Sequence, residues 1–510
     1  MFMPSSASRR SLIALAAACL SSLMFGLEIS SVPAILPTLE QVLGADFVQL
    51  QWIMNAYTIA VTTVLMATGT LADRYGRKRV FLIGIVAFGI SSLICGLTES
   101  VSVLILTRFV QGLSGGMMLI CQVAVLSHQF RDGRARGMAF GWWGIVFGIG
   151  LGFGPIVGGA IVAVWSWEWV FLVHAVLGLV TLGLAISGVE ESRDPDATHL
   201  DLPGIVTLSV AVFGLAFYIT QGPDLGFASP AALAILALTV ASFLAFLLAE
   251  KRSPRPMFDV SVFRIRAFSG AVIGSAAMNI SFWPLMIYLP IWFQAGLGYD
   301  SVAAGSALLA YTLPTLVVPP LAERLSLRYR PGLVIPAGLF LIGLGFFAMK
   351  LGSGVENASW LTMLPGCVLA GIGLGFTNTP VTNTTTAAVS AARAGMASGI
   401  DMSARMISLA INIALMGFLL VEGVRSSLQA ALPADVEPAA LRQLAQRVAS
   451  GAGVSAGIPE AVVHQALVDG FGWILLYGGV GVWLLAMFSY LAFGRGRAKP
   501  AACAAQPVAR

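Results

Sequence analysis

Gly69-Thr70-Leu71-Ala72-Asp73-Arg74-Tyr75-Gly76-Arg77-Lys78 closes one apolar run, 49–72, and leads into the next, 80–97. Each run is close to the ~20 residues with which a helix crosses a bilayer. The stretch between them is too charged for hydrocarbon and too short for a folded domain. It therefore reads as a tight turn at a membrane surface, with an acid closing one helix and bases opening the next.

Working outward from this hairpin gives fourteen such runs. They are 12–36, 49–72, 80–97, 102–125, 137–164, 168–188, 203–221, 231–249, 268–295, 301–324, 333–350, 360–386, 398–421 and 470–494. The chain of 510 residues is 57% hydrophobic and only 10% charged, whereas soluble domains are about a quarter charged. This excludes a soluble enzyme or a disordered chain. Arg9 and Arg10 ahead of an apolar run resemble a secretory signal. The apolar character continues past Glu28 to Leu36, however, so the run is read as the first span. Cys19, Cys95, Cys121 and Cys367 lie inside apolar runs and Cys503 stands alone, so no metal site or disulfide framework is expected.

The basic residues orient the chain. With a cytoplasmic N-terminus, 23 of the 29 Lys and Arg fall in cytoplasmic segments. Only Lys350, Arg425, Arg442 and Arg447 fall outside, while Arg108 and Arg405 lie within spans. Such asymmetry follows the positive-inside rule. Both termini are expected in the cytoplasm and the 422–469 segment outside. Within that segment Leu441, Leu444 and Val448 have the spacing of a surface helix. The net charge of +5 reports orientation and anionic lipid, not nucleic acid. Leu71-Ala72-Asp73-Arg74 after the second span recurs as Leu321-Ala322-Glu323-Arg324 closing the tenth. A displacement of eight spans fits two six-helix halves separated by two inserted helices. The expected organisation is 1–200, an inserted pair at 201–250, and 251–510.

The opening stretch resembles the signature loop Gly-x-Leu-Ala-Asp-Arg-x-Gly-Arg-Lys of the major facilitator superfamily. Leu106-Thr107-Arg108-Phe109-Val110-Gln111-Gly112 resembles its arginine-bearing motif. Gly150-Leu151-Gly152-Phe153-Gly154-Pro155-Ile156-Val157-Gly158-Gly159 is similar to the motif of its antiporters. With fourteen spans, the resemblance is to the drug:proton antiporter group. It implies an all-α membrane fold and proton-coupled export of small amphipathic molecules by alternating access in the bacterial inner membrane. It also implies a monomer with no cofactor beyond the proton gradient and no metal. Departures lie at Glu28, where the group has Asp; at Glu168 and His174, where it has Arg and Asn; and at Asp401, where Asn is common.

The residues give these expectations a physical basis. Asp73, Arg74, Arg77 and Lys78, with Gly69 and Gly76 in the turn, can pair with a neighbouring helix end and hold one conformation of two rocking halves; they also anchor topology. An acid inside a span marks a functional site by default. Glu28 lies roughly 12 Å deep and Arg108 about 10 Å deep from the same side, so the two can meet. They form either a proton-coupling pair or a static buried one. Asp401 and Arg405, four apart near the cytoplasmic mouth, form a local bridge in a wet vestibule or serve substrate or proton. Gly144, Gly148 and Gly152, like Gly150, Gly154 and Gly158, allow close helix approach, and Pro155 can bend the helix. Thr377, Asn378, Thr382, Asn383 and Thr386 either line a cavity or bond another helix. Trp142, Trp143, Phe282, Trp283, Trp292 and Phe293, with Gln294 next in sequence, could meet a flat substrate; lipid-facing or interface aromatics are the alternative.

Two rival readings draw on the same residues. A proton-symport importer could use the same fold. Gly112-Leu113-Ser114-Gly115-Gly116 matches Gly-x-Ser-x-Gly, but a hydrolase elbow needs a strand–turn–helix that a membrane helix does not supply. No catalytic residues are therefore expected.

Overall fold

A computed structural model describes residues 9–45, 47–131, 133–194, 201–253, 260–299, 301–390, 393–432, 437–449 and 459–494. Every regular element among them is helical, as lipid demands of a chain that must satisfy its backbone internally. The first six helices are α1 (Arg9–Leu43), α2 (Phe47–Tyr75), α3 (Arg77–Leu97), α4 (Val101–Gln129), α5 (Gly133–Val164) and α6 (Glu168–Gly188). An inserted pair follows, α7 (Leu202–Leu225) and α8 (Pro230–Arg252). The second half comprises α9 (Arg266–Ile280), α10 (Phe282–Ile291), α11 (Ser301–Thr312), α12 (Pro314–Val317), α13 (Pro319–Tyr329), α14 (Pro331–Ser353), α15 (Trp360–Ala387), α16 (Ala394–Ala431), α17 (Pro438–Ala449) and α18 (Glu460–Phe493).

Thirteen helical stretches among the described residues are long and apolar enough to cross a membrane, and fourteen when a pair bent by 43° counts as one span. That pair is the tenth run, broken into α11, α12 and α13 where Pro314, Pro319 and Pro320 lack the N–H that continues a helix. The ninth run is divided too, at Ser281, and ends in a π-helical turn, Trp292–Gly296. The largest difference from the sequence reading lies in 422–469. Instead of one surface helix between two short spans, α16 runs on to Ala431, α18 begins at Glu460, and α17 lies between them. Leu441, Ala445 and Val448 of α17 bury their side chains in the core of the second half.

Apolar burial separates the halves. Two clusters are built mainly from α1–α6 and a larger one from α9–α18. The inserted α7 joins both, since Leu208 and Val212 pack with Met66 of α2 and with Met396, Ala397 and Ile400 of α16. The internal repeat is also visible in the backbone. The helix ending at Tyr75 is broken by Gly76 at φ 109°, and the one ending at Tyr329 by Arg330 at φ 103°. Glycine suits such a break, since φ in this range strains an L side chain; a Cβ on Gly76 would also strike the Glu191 carboxylate at 2.5 Å.

Candidate functional site

At the basic end of the bundle the halves are held by two carboxylates. Asp73, at the end of α2, accepts Arg77 Nε at 3.1 Å and Nη2 at 2.8 Å on Oδ1. Its Oδ2 accepts the backbone N–H of Met396 at 3.1 Å. That N–H opens α16, one of the donors that a helix leaves unpaired in its first turn. Gly69 permits the approach, because a Cβ there would lie 2.6 Å from the Gly395 carbonyl. Lys78 Nζ donates to the Ile186 carbonyl at 2.6 Å and Arg74 lies over the Tyr75 ring, so these bases serve the first half itself.

Glu323, the counterpart of Asp73 in the repeat, is buried against Gly137 near the start of α5. Asn383 of α15 donates to it at 2.8 Å and accepts Arg136 Nε of α5 at 2.6 Å. Arg136 Nη2 also donates to Thr386 at 2.6 Å. Asn383 therefore belongs to a clamp between halves. Arg136, Glu323 and Thr386 escaped the sequence reading as a unit; the repeated Leu-Ala-Glu-Arg was the signal that could have found it.

Glu28 and Arg108 meet inside the first half, both 0% exposed. Arg108 Nη1 donates to Glu28 Oε1 and, at 2.7 Å, to Gln111 Oε1; Nε donates to the Ile53 carbonyl at 3.0 Å. The guanidinium sits 4.4 Å from the Tyr57 ring centre. His174 of α6 lies on the other side of the carboxylate, its Nδ1 3.3 Å from Glu28 Oε2.

Asp401 and Arg405 do not lie in a wet vestibule. Asp401 is 0% exposed and accepts Ser275 Oγ and, at 3.2 Å, Thr382 Oγ1. Arg405 Nη2 lies 3.3 Å from Asp401 Oδ2 and donates to Thr382 at 2.7 Å; Nη1 donates to the Asn378 amide oxygen. All these residues belong to the second half, and Asn378 is consumed by the knot.

An aromatic seam crosses between the halves. Tyr57 packs on Phe25 at 6.2 Å, Phe25 on Phe147 at 6.3 Å, and Phe147 meets Trp283 of α10 edge-on at 6.4 Å. Trp143 stacks on Phe147 at 5.5 Å, with its indole N–H buried and unpaired. The neighbouring Trp142 is 38% exposed and Gln294 is exposed as well, so the ring that joins the seam is Trp143 and not Trp142.

The glycines of α5 divide into two faces. A Cβ on Gly150, Gly154 or Gly158 would strike Leu23, Ser30 or Ser31 of α1. One on Gly144, Gly148 or Gly152 would meet Thr379, Thr315 or Thr312 of the second half. Pro155 lies inside α5, and Gly159 faces open space. Ser114 spends its hydroxyl on the carbonyls of Val110 and Gln111 in its own helix, unlike a poised nucleophile.

Comparison with known proteins supplies the lineage. The family model of the Major Facilitator Superfamily matches residues 18–413. The chain is 29% identical to Multidrug resistance protein Stp of Mycobacterium tuberculosis, over 92% of this chain and 89% of that one. It is 30% identical to the Tetracenomycin C resistance and export protein of Streptomyces glaucescens, over 90% and 87%. Among solved structures it resembles the proton:xylose symporter XylE, with a TM-score of 0.62 and 15% identity over 94% of this chain and 95% of that one. The chain, a multi-pass membrane protein with the architecture of a transporter and not of an enzyme, belongs to the Major Facilitator Superfamily.

Proposed function

We propose that this protein exports small, flat, amphipathic molecules across a bacterial cytoplasmic membrane in exchange for protons, by alternating access. The observation that carries the reading is the aromatic seam. It starts at Tyr57 under the Arg108 guanidinium, runs through Phe25 and Phe147, and ends on Trp283 in the other half. A planar ligand inserted between Phe147 and Trp283 would touch both halves and the residue beneath the buried ion pair. Stacked rings favour such ligands. The names of the relatives, which are drug-resistance and export proteins, support the direction of transport.

In this reading the basic end is cytoplasmic, both termini lie there, and α17 is external. The chain divides near residues 200 and 250, and one copy suffices. Asp73 and the Arg136–Asn383 clamp hold the cytoplasmic side closed, and Glu28 carries the proton. The test is flux of planar amphipathic dyes, ethidium among them, in proteoliposomes with an imposed pH gradient. Glu28→Gln is expected to abolish uphill flux while downhill exchange persists, because the amide keeps the volume without the charge. Gradient-driven flux that survives unchanged removes Glu28 as carrier and turns attention to Asp401.

A further inference from the structure

We infer that Glu28 and His174 together form the proton-binding site, with one proton held between Glu28 Oε2 and His174 Nδ1. The inference rests on the export reading only for its link to transport. His174 is 1% exposed, and its ring nitrogens face oxygen alone. Nε2 lies 3.2 Å from the Met24 carbonyl; Nδ1 lies 2.9 Å from the Val170 carbonyl and 3.3 Å from Glu28 Oε2. A neutral imidazole has one N–H and one lone pair. With acceptors on both sides, either neutral tautomer leaves a lone pair facing an oxygen, the Met24 carbonyl at Nε2 or the Val170 carbonyl and Glu28 carboxylate at Nδ1. A second ring proton removes the conflict, and the one on Nδ1 then lies between the ring and Glu28 Oε2.

The carboxylate has room for it. Arg108 takes Oε1, whereas Oε2 is buried without any hydrogen-bond donor. Arg108 does not depend on Glu28 for its own place, since Ile53, Gln111 and the Tyr57 ring also hold it. The other groups around the pair are few. α2 presents Tyr57, α3 presents Cys95 and the edge of Phe88 at 6.0 Å from His174, and α4 presents Arg108. α5 meets this region with glycines, its arginines lying at its far end. With the proton the cluster carries one net positive charge, and without it the Glu28–Arg108 pair is neutral. Release needs only water and a parting of α1 from α6. The resembled drug:proton antiporters have Asn at this position, and an amide has no such second site.

The chain has four histidines, which makes ¹⁵N-histidine labelling in nanodiscs tractable. His174→Asn assigns the signal; should that variant not fold, removal of His128, His199 and His464 does so. The expected result is a His174 Nδ1 resonance that moves on Glu28→Gln, at pH values from about 5 to 9. His174→Asn is also expected to shift the pH midpoint of uphill ethidium flux by about one unit, a tenfold change in proton affinity. An Nδ1 signal identical in wild type and Glu28→Gln overturns the inference, and so does an unchanged pH midpoint. The resonance is read without transport, so its failure leaves the export reading standing.

Discussion

Asp73 gives one oxygen to its own half and the other to the opposite half. Arg77 fixes Oδ1 and thereby aims Oδ2 at the Met396 N–H. A carboxylate at a helix N-terminus is worth about 0.3–1 kcal/mol, and up to ~2 when partly buried. Asp73→Asn keeps the shape but gives up that charge, so the closed state should lose roughly 2- to 30-fold in population. The expected outcome is slower dye flux at unchanged protein abundance; normal flux in a well-expressed variant leaves Asp73 as a topology anchor. Residues of this kind were only half legible in the sequence. The motif announced Asp73, but its partner is a backbone donor 323 residues away, which has no side-chain signature. Glu28 and Arg108 were legible because depth in a span can be counted. For Asn378 and Asn383 the sequence left a cavity and another helix equally open, because a polar side chain reads the same whether it meets substrate or an arginine.

At the scale of the helix, α5 serves both the fold and the moving interface. A Cβ on Gly154 would come 1.8 Å from Ser30 Oγ and 2.7 Å from its Cβ, in the tight contact with α1. Overpacking of this sort costs about 1–3 kcal/mol, so Gly154→Ala should lower the melting temperature and the yield. Gly144 faces Thr379 across the boundary between halves, where its Cβ would be 2.1 Å from the hydroxyl. There Gly144→Ala should leave melting close to wild type and alter flux, because the strain falls on one conformation and not on the folded half. Equal melting losses in the two variants would show that both faces serve packing alone. Spacing by four identified both stripes in the sequence, but no periodicity says which neighbour a stripe meets. The proline breaks in the tenth run were likewise written in the sequence, while their 43° bend depends on what packs around them.

For the whole molecule, span count and the doubled architecture were legible because lipid restricts the backbone to helices and charge to their ends. Contacts between halves were not, since they join residues such as Arg136 and Asn383, 247 apart. Those contacts decide how the molecule moves. Asp73 joins the end of α2 to the start of α16, the Glu323 group joins α13 and α15 to the start of α5, and α7 backs α2 and α16 through Met66 and Met396. Transport by rocking requires both joints to open in every cycle. Gly137 and Leu327 allow a test beside the second joint without removing it, since a Cβ on Gly137 would lie 3.6 Å from Leu327 Cδ1. In a protein freed of its five native cysteines, Gly137→Cys with Leu327→Cys should cross-link through a short bis-thiosulfonate reagent. Cross-linking should stop ethidium flux, and reduction should restore it. Either single cysteine treated alike should transport normally. Full flux through the cross-linked protein would mean that the halves need not part at this end, and the two carboxylate joints would then be fixed struts of a molecule that moves elsewhere.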